Sequence, residues 1–248
     1  MNDPMILVDH VTKYYEDVRA VHDLCLSIPG GEVFAFLGPN GAGKTTTIKV
    51  LTGLLRPTKG KAILGGFDIQ KKPFEAKSLI GYIPDHPYVY EKLSGYEFFR
   101  FIGDLFGVEP SIQEEKFEYF FKLFGLLGAR DKLIENYSHG MRQKLVMSVS
   151  LMHDPKIVIV DEPMVGLDPQ SARVVKRLFR ESADRGATVF LSTHTLSVAE
   201  ELADRIGLIN KGELIFLGTL EQMRETTQKD GNLEELFLEL TGHDISSG

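Results

Sequence analysis

The chain has a single cysteine, no apolar run as long as a membrane span and no block of lysine and arginine. One thiol cannot build a disulfide framework, which agrees with a reducing compartment. Cys25 stands inside the apolar run LCLSI, a setting that predicts a core residue rather than a nucleophile. The ~20 consecutive apolar residues of a spanning helix are missing. The opening MNDPMILVDH also lacks the basic-then-apolar build of a secretory leader, so the expectation is a cytoplasmic chain. A net charge of −7, from 28 Lys and Arg against 35 Asp and Glu, argues against a nucleic-acid surface. Internal repeats and low-complexity tracts are lacking too.

What is present is a regular alternation of element types. EVFAFLG, KIVIVDEP and ATVFLST are short runs rich in Val, Ile and Phe followed by helical patterns, the layout of an open, largely parallel α/β sheet. MILVDHVTKYY and LCLSIP predict a smaller antiparallel β piece before it. From about Ser94 to Met152 the pattern is helical throughout. SGYE and SIQE both fit the Ser-x-x-Glu capping box, and Phe117, Phe120, Phe121 and Phe124 fall on one helix face as a core stripe. IGLINKGELIFLG predicts a hairpin turning at Lys211-Gly212, and Leu233, Leu236, Phe237 and Leu240 a last amphipathic helix. The resulting division is a core from 1–85 and 156–220, a helical insertion over 86–155 and a helical tail over 221–248.

GPNGAGKT, Gly38 to Thr45, lies between the strand EVFAFLG and a helical segment, the setting that the pattern G-x-x-x-x-G-K-[ST] requires. Gly38, Pro39, Asn40, Gly41, Ala42 and Gly43 would form a loop whose backbone N–H groups converge on phosphate oxygens, and the helix starting near Lys44, Thr45 and Thr46 adds its N-terminal partial charge. In this motif the lysine reaches the β and γ phosphates and the Thr45 hydroxyl reaches Mg²⁺. IVIVDEP supplies the carboxylates such a loop needs at the end of a buried strand. Asp161 is the Mg²⁺ partner, and Glu162 is placed to activate a water for attack on the γ-phosphate. Together these motifs predict a P-loop nucleoside triphosphatase.

YSHGMRQK, Tyr137 to Lys144, resembles the signature motif of the ATP-binding cassette (ABC) transporter ATPases, usually written Leu-Ser-Gly-Gly-Gln. Ser138 and Gly140 match it; Tyr137, His139 and Met141 depart from it. GLDP (Gly166 to Pro169) resembles the family's D-loop and STH (Ser192 to His194) its switch histidine. The resemblance extends from about Met5 to Thr219. It implies a Mg²⁺-dependent ATPase in which two cassettes sandwich two ATP molecules, each nucleotide lying between the P-loop of one chain and Ser138 and Gly140 of the other. It further implies that Tyr15 stacks on adenine, with Tyr14 as the alternative, and that His194 fixes the geometry of Glu162 and the γ-phosphate.

GYIPDHPY, Gly81 to Tyr88, sets Asp85 and His86 between two prolines, each of which holds the preceding residue extended. No second His or Cys cluster stands at ligand spacing, so this pair predicts a rigid loop rather than a transition-metal site. The resemblance aligns Asp85 with a glutamine that touches Mg²⁺ and senses the membrane partner, which makes Asp85 a candidate cation ligand and leaves His86 a solvated neighbour. His139, beside the signature backbone, is a candidate pH-sensitive group. The implied partners are a separate integral-membrane permease, contacted through HPYVYEKLSGYEFF, and a second cassette. The wording of the motifs resembles bacterial exporter-type systems, peripheral on the cytoplasmic face of the membrane. The alternatives are a soluble cassette ATPase acting on nucleic acid or ribosomes, and a nucleotide-binding module without turnover.

Overall fold

A strand buried on one face alternates apolar and polar residues, whereas one covered on both faces is apolar throughout, and both kinds occur here. The computed structural model describes residues 3–227 together with Glu235 and Phe237. Strands β1 (Ile6–Tyr15), β2 (Val18–Ile28), β4 (Lys59–Leu64) and β5 (Phe67–Asp68) form an antiparallel sheet in the order β2-β1-β4-β5. In β2 the residues Leu24, Leu26 and Ile28 are buried and those between them are exposed. Cys25 is one of the exposed set, which corrects its assignment to the core: the neighbouring leucines face inward, and the period of two sends the thiol to the solvent side.

The second sheet runs β10-β9-β3-β8-β7-β6, with β3 (Val33–Leu37), β6 (Ile80–Ile83), β7 (Ile157–Asp161), β8 (Thr188–Thr193), β9 (Arg205–Asn210) and β10 (Glu213–Gly218). β3, β6, β7, β8 and β9 pair in parallel, and β10 closes the edge antiparallel to β9. β3, β7 and β8 are buried at every residue because a separate core covers each face. Ile157 and Ile159 join a core shared with β1, β2 and helix α1 (Lys44–Leu51), while Val158 and Val160 face a core built from the helical insertion. The hairpin between β9 and β10 turns at Lys211 (φ 48°) and Gly212 (φ 82°), the paired left-handed residues that suit the twist of a tight hairpin.

A short helix α2 (Pro73–Lys77) leads into β6, and between β6 and β7 lie α3 (Gly95–Leu105), α4 (Pro110–Leu123) and α5 (His139–Leu151). The Ser94–Glu97 capping box at α3 forms reciprocally, with Glu97 N donating to Ser94 Oγ and Ser94 N donating to Glu97 Oε2. The SIQE box does not form. Pro110 takes the first helical position, where its fixed φ and missing N–H cost nothing, so Ser111 is already inside α4 and Glu109 precedes the helix without a side-chain cap. Phe117, Phe120, Phe121 and Phe124 are all buried, and Phe117 packs edge-on to Phe99 at 5.4 Å between ring centroids. After β7 come α6 (Pro169–Asp184), α7 (Leu196–Leu202) and α8 (Leu220–Thr227). Of the predicted last helix, Phe237 packs against the cluster that contains Ala35, Leu37 and Met223; Leu233, Leu236 and Leu240 lie outside the described residues. Among the described residues no helix is long and apolar enough to cross a membrane.

Candidate active site

In an open parallel sheet the carboxyl ends of the strands all point one way, so the loops that leave them meet. Here four neighbouring strands contribute: Gly38 directly follows β3, Asp85 lies two residues past β6, Glu162 follows β7 and His194 follows β8. Asn40, Gly41, Gly43, Lys44, Thr45, Thr46, Asp85, Asp161, Glu162 and His194 line one cleft of about 310 Å³ together with Ala20 of β2. Ala20 carried no signal in the sequence, because an alanine at the start of a strand has no chemistry to mark it.

The loop from Gly38 to Gly43 is shaped by two close approaches. A Cβ on Gly38 would stand 2.3 Å from the Ile209 carbonyl, and one on Gly43, which starts α1 at φ 111°, would stand 2.6 Å from the Ala20 carbonyl. Neither position admits a side chain. Ala42 is buried, and the Pro39 carbonyl accepts from Ala42 N at 3.2 Å, so these two residues shape the loop from beneath. Lys44 Nζ donates to the Gly38 carbonyl at 2.6 Å and to the Pro39 carbonyl at 3.1 Å. Burial lowers the Lys44 pKa, opposed by the charges of Glu162 and Asp161.

Two carboxylates, Asp161 and Glu162, act on this ammonium, and a third, Asp85, lines the same cleft. Asp161 ends β7, and Thr45 Oγ1 lies 3.4 Å from its Oδ2. Burial raises the Asp161 pKa, and Asp85 and Glu162 add to the rise by repulsion. A carboxyl so placed gains from a cation, and Thr45, Asp161 and Asp85 offer only hard oxygen donors, the set that Mg²⁺ prefers. Glu162 has φ 50°, a left-handed backbone that costs about 1–3 kcal/mol for a residue with a side chain and is held only by surrounding bonds. Those bonds are present: Glu162 N donates to the Ser192 carbonyl at 2.9 Å, while Thr193 Oγ1 and His194 N donate to the Glu162 carboxylate at 3.1 and 2.9 Å. His194 Nδ1 lies 2.7 Å from Glu162 Oε1. Thr193, the middle residue of the STH motif, is a brace for Glu162.

Not every predicted residue enters the cleft. Ser138 caps α5, its Oγ accepting from Met141 N at 3.3 Å, and Ser138 and Gly140 lie outside the cleft lining. Tyr137 anchors the start of this motif, because its buried hydroxyl donates to the Ala129 carbonyl at 2.7 Å. Tyr15 also stands outside the lining, 43% exposed at the end of β1, with Lys13 Nζ 5.4 Å from its ring centroid. His86 is largely exposed and its backbone N donates to Asp85 Oδ1 at 2.8 Å. Away from the cleft the fold gathers a group that sequence spacing hid: ligand atoms of His10, Asp23 and Cys25 lie within 4.8 Å of one another on the exposed face of β1 and β2. His10 and Asp23 already satisfy each other there as a 2.8 Å ion pair.

A glycine-rich loop between a buried strand and a helix, with an aspartate ending a strand one removed in the same parallel sheet and a glutamate just after it, defines a P-loop nucleotide-binding domain. The helical insertion between β6 and β7 narrows the class, and comparison with known proteins supplies the family. The ABC transporter family profile matches residues 21–165. The chain is 38% identical over 237 residues to the daunorubicin/doxorubicin resistance ATP-binding protein DrrA of Streptomyces peucetius, covering 96% of this chain and 70% of that one. It is 38% identical over 210 residues to an ABC transporter ATP-binding protein of Nostoc, covering 84% of this chain and 62% of the relative. A solved structure described as the ATP-binding subunit of an ABC transporter superposes with a TM-score of 0.92 at 30% identity, covering 96% of this chain and 99% of the other. The chain belongs to the ABC transporter family, as its ATP-binding ATPase domain.

Proposed function

We propose that this chain is the Mg²⁺-dependent ATPase subunit of an exporter-type transporter, that its cassettes pair around two ATP molecules, and that it drives a separate permease from the cytoplasmic face of the membrane. The observation that carries this reading is the convergence of Lys44, Thr45, Asp85, Asp161, Glu162 and His194 in one cleft at the strand ends. Lys44 leaves its two carbonyl partners to reach the β and γ phosphates. Thr45 and Asp161, with Asp85 beside them, would hold Mg²⁺, which when bound would supply charge neutralisation on the phosphate oxygens. Glu162 accepts a proton from the attacking water, and His194, within hydrogen-bond reach of that carboxylate, sets its direction. Ser138 and Gly140 complete the phosphate contacts of a paired chain, consistent with their position outside the cleft of their own chain.

A groove of about 440 Å³ between the core and the helical insertion supports a permease as partner. Leu54, Tyr88, Phe98, Ile102, Phe106 and Val146 line it, and Tyr88 is 83% exposed. An apolar groove of this kind accepts an amphipathic helix. Pro84 lines the groove and the adjacent Asp85 lines the ATP cleft, so one rigid loop borders both. The drug-resistance names of relatives such as DrrA and the linearmycin resistance ATP-binding protein of Bacillus subtilis support export as the direction. The test is phosphate release by the purified chain across a Mg²⁺ titration, followed by affinity capture from detergent-solubilised membranes. Mg²⁺-dependent turnover and a stoichiometric multi-span partner are the expected results. Recovery with ribosomal proteins instead would establish the soluble alternative.

A further inference from the structure

The signature segment and the loop that leaves Glu162 are fastened together inside this chain. The ring of His139 lies on Gly166, so that a Cβ added to Gly166 would stand 2.4 Å from His139 Cδ2 and 2.9 Å from its Nε2. Gly140 makes a second close approach, since a Cβ there would stand 2.9 Å from the Gly166 carbonyl. One turn further along α5, Lys144 Nζ is 3.1 Å from Asp168 Oδ2, and Asp168 in turn caps α6 by accepting from Ser171 N at 2.8 Å. Between Gly166 and Glu162 the chain has little slack: Leu167 N donates to the Met164 carbonyl and Val165 N to the Glu162 carbonyl, both at 3.3 Å. At the far end stands Glu162 itself, left-handed and braced by Thr193 and His194.

We propose that His139 is a positioning residue that couples the two ATP sites of a cassette pair, by locking the signature segment to the loop whose first residue is the general base. The inference rests on the sandwich reading above, in which Ser138 and Gly140 serve the partner's nucleotide while Glu162 serves the chain's own. A phosphate that engages the signature therefore restrains Gly166 through the His139 ring, and Gly166 restrains Glu162 through the two turn bonds. The contact is one of packing, made by the Cδ2–Nε2 edge of the ring against backbone. A flat ring of similar size at position 139 preserves it. Small displacements of Glu162 matter because a misplacement of about 1 Å can lower turnover by about 10²-fold.

The test uses the full purified chain and the dependence of phosphate release on ATP concentration. Two coupled sites give a Hill coefficient approaching about 2, and uncoupled ones give about 1. The parent and His139→Phe are expected to be cooperative with the same pH profile, and His139→Ala to fall towards 1 while fluorescent ATP still binds with the parent Kd. Gly166→Ala is expected to lower kcat about tenfold or more. His139→Gly added to Gly166→Ala should recover part of that loss by removing the ring that the new Cβ meets, whereas the cost of the left-handed backbone at 166 is common to both. An unchanged Hill coefficient in His139→Ala, a non-cooperative parent, or a Gly166→Ala defect indifferent to the residue at 139 would each overturn the coupling. ATP-dependent dimerisation of Glu162→Gln, read by size-exclusion chromatography with light scattering, separates the two levels. Without a dimer the sandwich reading fails and the coupling with it; with a dimer and an unaltered His139→Ala, the coupling alone fails.

Discussion

The ATP cleft and the apolar groove share a wall yet are built on opposite principles. The cleft is lined by charged and hydroxyl groups delivered by strand ends, and its residues are tied to one another: Lys44 to loop carbonyls, Thr45 to Asp161, Glu162 to Thr193 and His194. The groove is lined by Leu54, Tyr88, Phe98, Ile102 and Phe106, and Leu54 and Tyr88 expose 62% and 83% of their surface. Chemistry needs fixed dipoles in a restricted position, which backbone at strand ends provides. Docking needs apolar surface that water leaves readily, which exposed aromatics provide. The segment Ile83-Pro84-Asp85 stands between them, so a change in the groove has a direct route to the cleft.

The sharpest way to separate the two regions is at Glu162. Glu162→Gln is expected to keep ATP binding and to lower kcat about 10²–10⁴-fold, the usual contribution of a general base, whether or not the permease is present. Single-turnover hydrolysis at the parent rate would remove Glu162 from that role. Asp161→Asn comes next, with activity and stability moving in opposite directions. Because burial raises the Asp161 pKa, its contribution to stability is fully present below the ordinary carboxylate range and is lost as pH rises through the raised pKa, so at neutral pH the charged form is a burden on the fold. The nucleotide-free variant should melt higher than the parent near pH 7, by about 2–4 °C per kcal/mol relieved, lose this advantage in acid, and bind Mg²⁺ poorly. An unchanged melting temperature across pH would show that Thr45 and the surrounding groups already compensate the charge.

Tyr88→Ala should do the reverse of Glu162→Gln. The isolated chain keeps its basal turnover, while the complex with the permease loses stability or stimulated turnover by about tenfold, the scale of one hot-spot aromatic. Parent-like capture of the membrane partner would exclude the groove as the dock. The smallest effect belongs to the shared loop. Asp85→Gln trades a charged oxygen for a neutral one and should shift the Mg²⁺ concentration for half-maximal activity upward by severalfold, leaving ATP affinity without metal unchanged or improved. An unmoved Mg²⁺ curve would make Asp85 a lining residue without a metal role.

Much of this was readable along the chain because it is local. The strand EVFAFL, the loop GPNGAGKT, the carboxylates of IVIVDEP and the Ser94–Glu97 box each depend on a few consecutive residues, and each appears where its pattern predicts. The failures have named causes. Ser111 lost its cap to Pro110, which claims the first helical position. Cys25 looked buried in an apolar run, but a one-sided sheet buries alternate residues, and its leucine neighbours won that face. Thr193 and Ala20 drew no role because one braces a side chain 31 residues away and the other meets the P-loop only through sheet-to-loop packing.

What could be read along the chain was the set of candidate groups: a glycine-rich loop between a strand and a helix, an aspartate closing a buried strand with a glutamate after it, and, through the family resemblance, Ser138 and His194. Tertiary structure alone decided how these pieces meet. It set Asp85 opposite Asp161, laid the His139 ring on Gly166, braced a left-handed Glu162 with Thr193 and His194, and put Pro84 in one cavity and Asp85 in the other. The reason is range: hydrogen bonding and backbone preference act over a few residues, whereas the parallel sheet joins strands far apart in sequence and brings their carboxyl ends to a common edge.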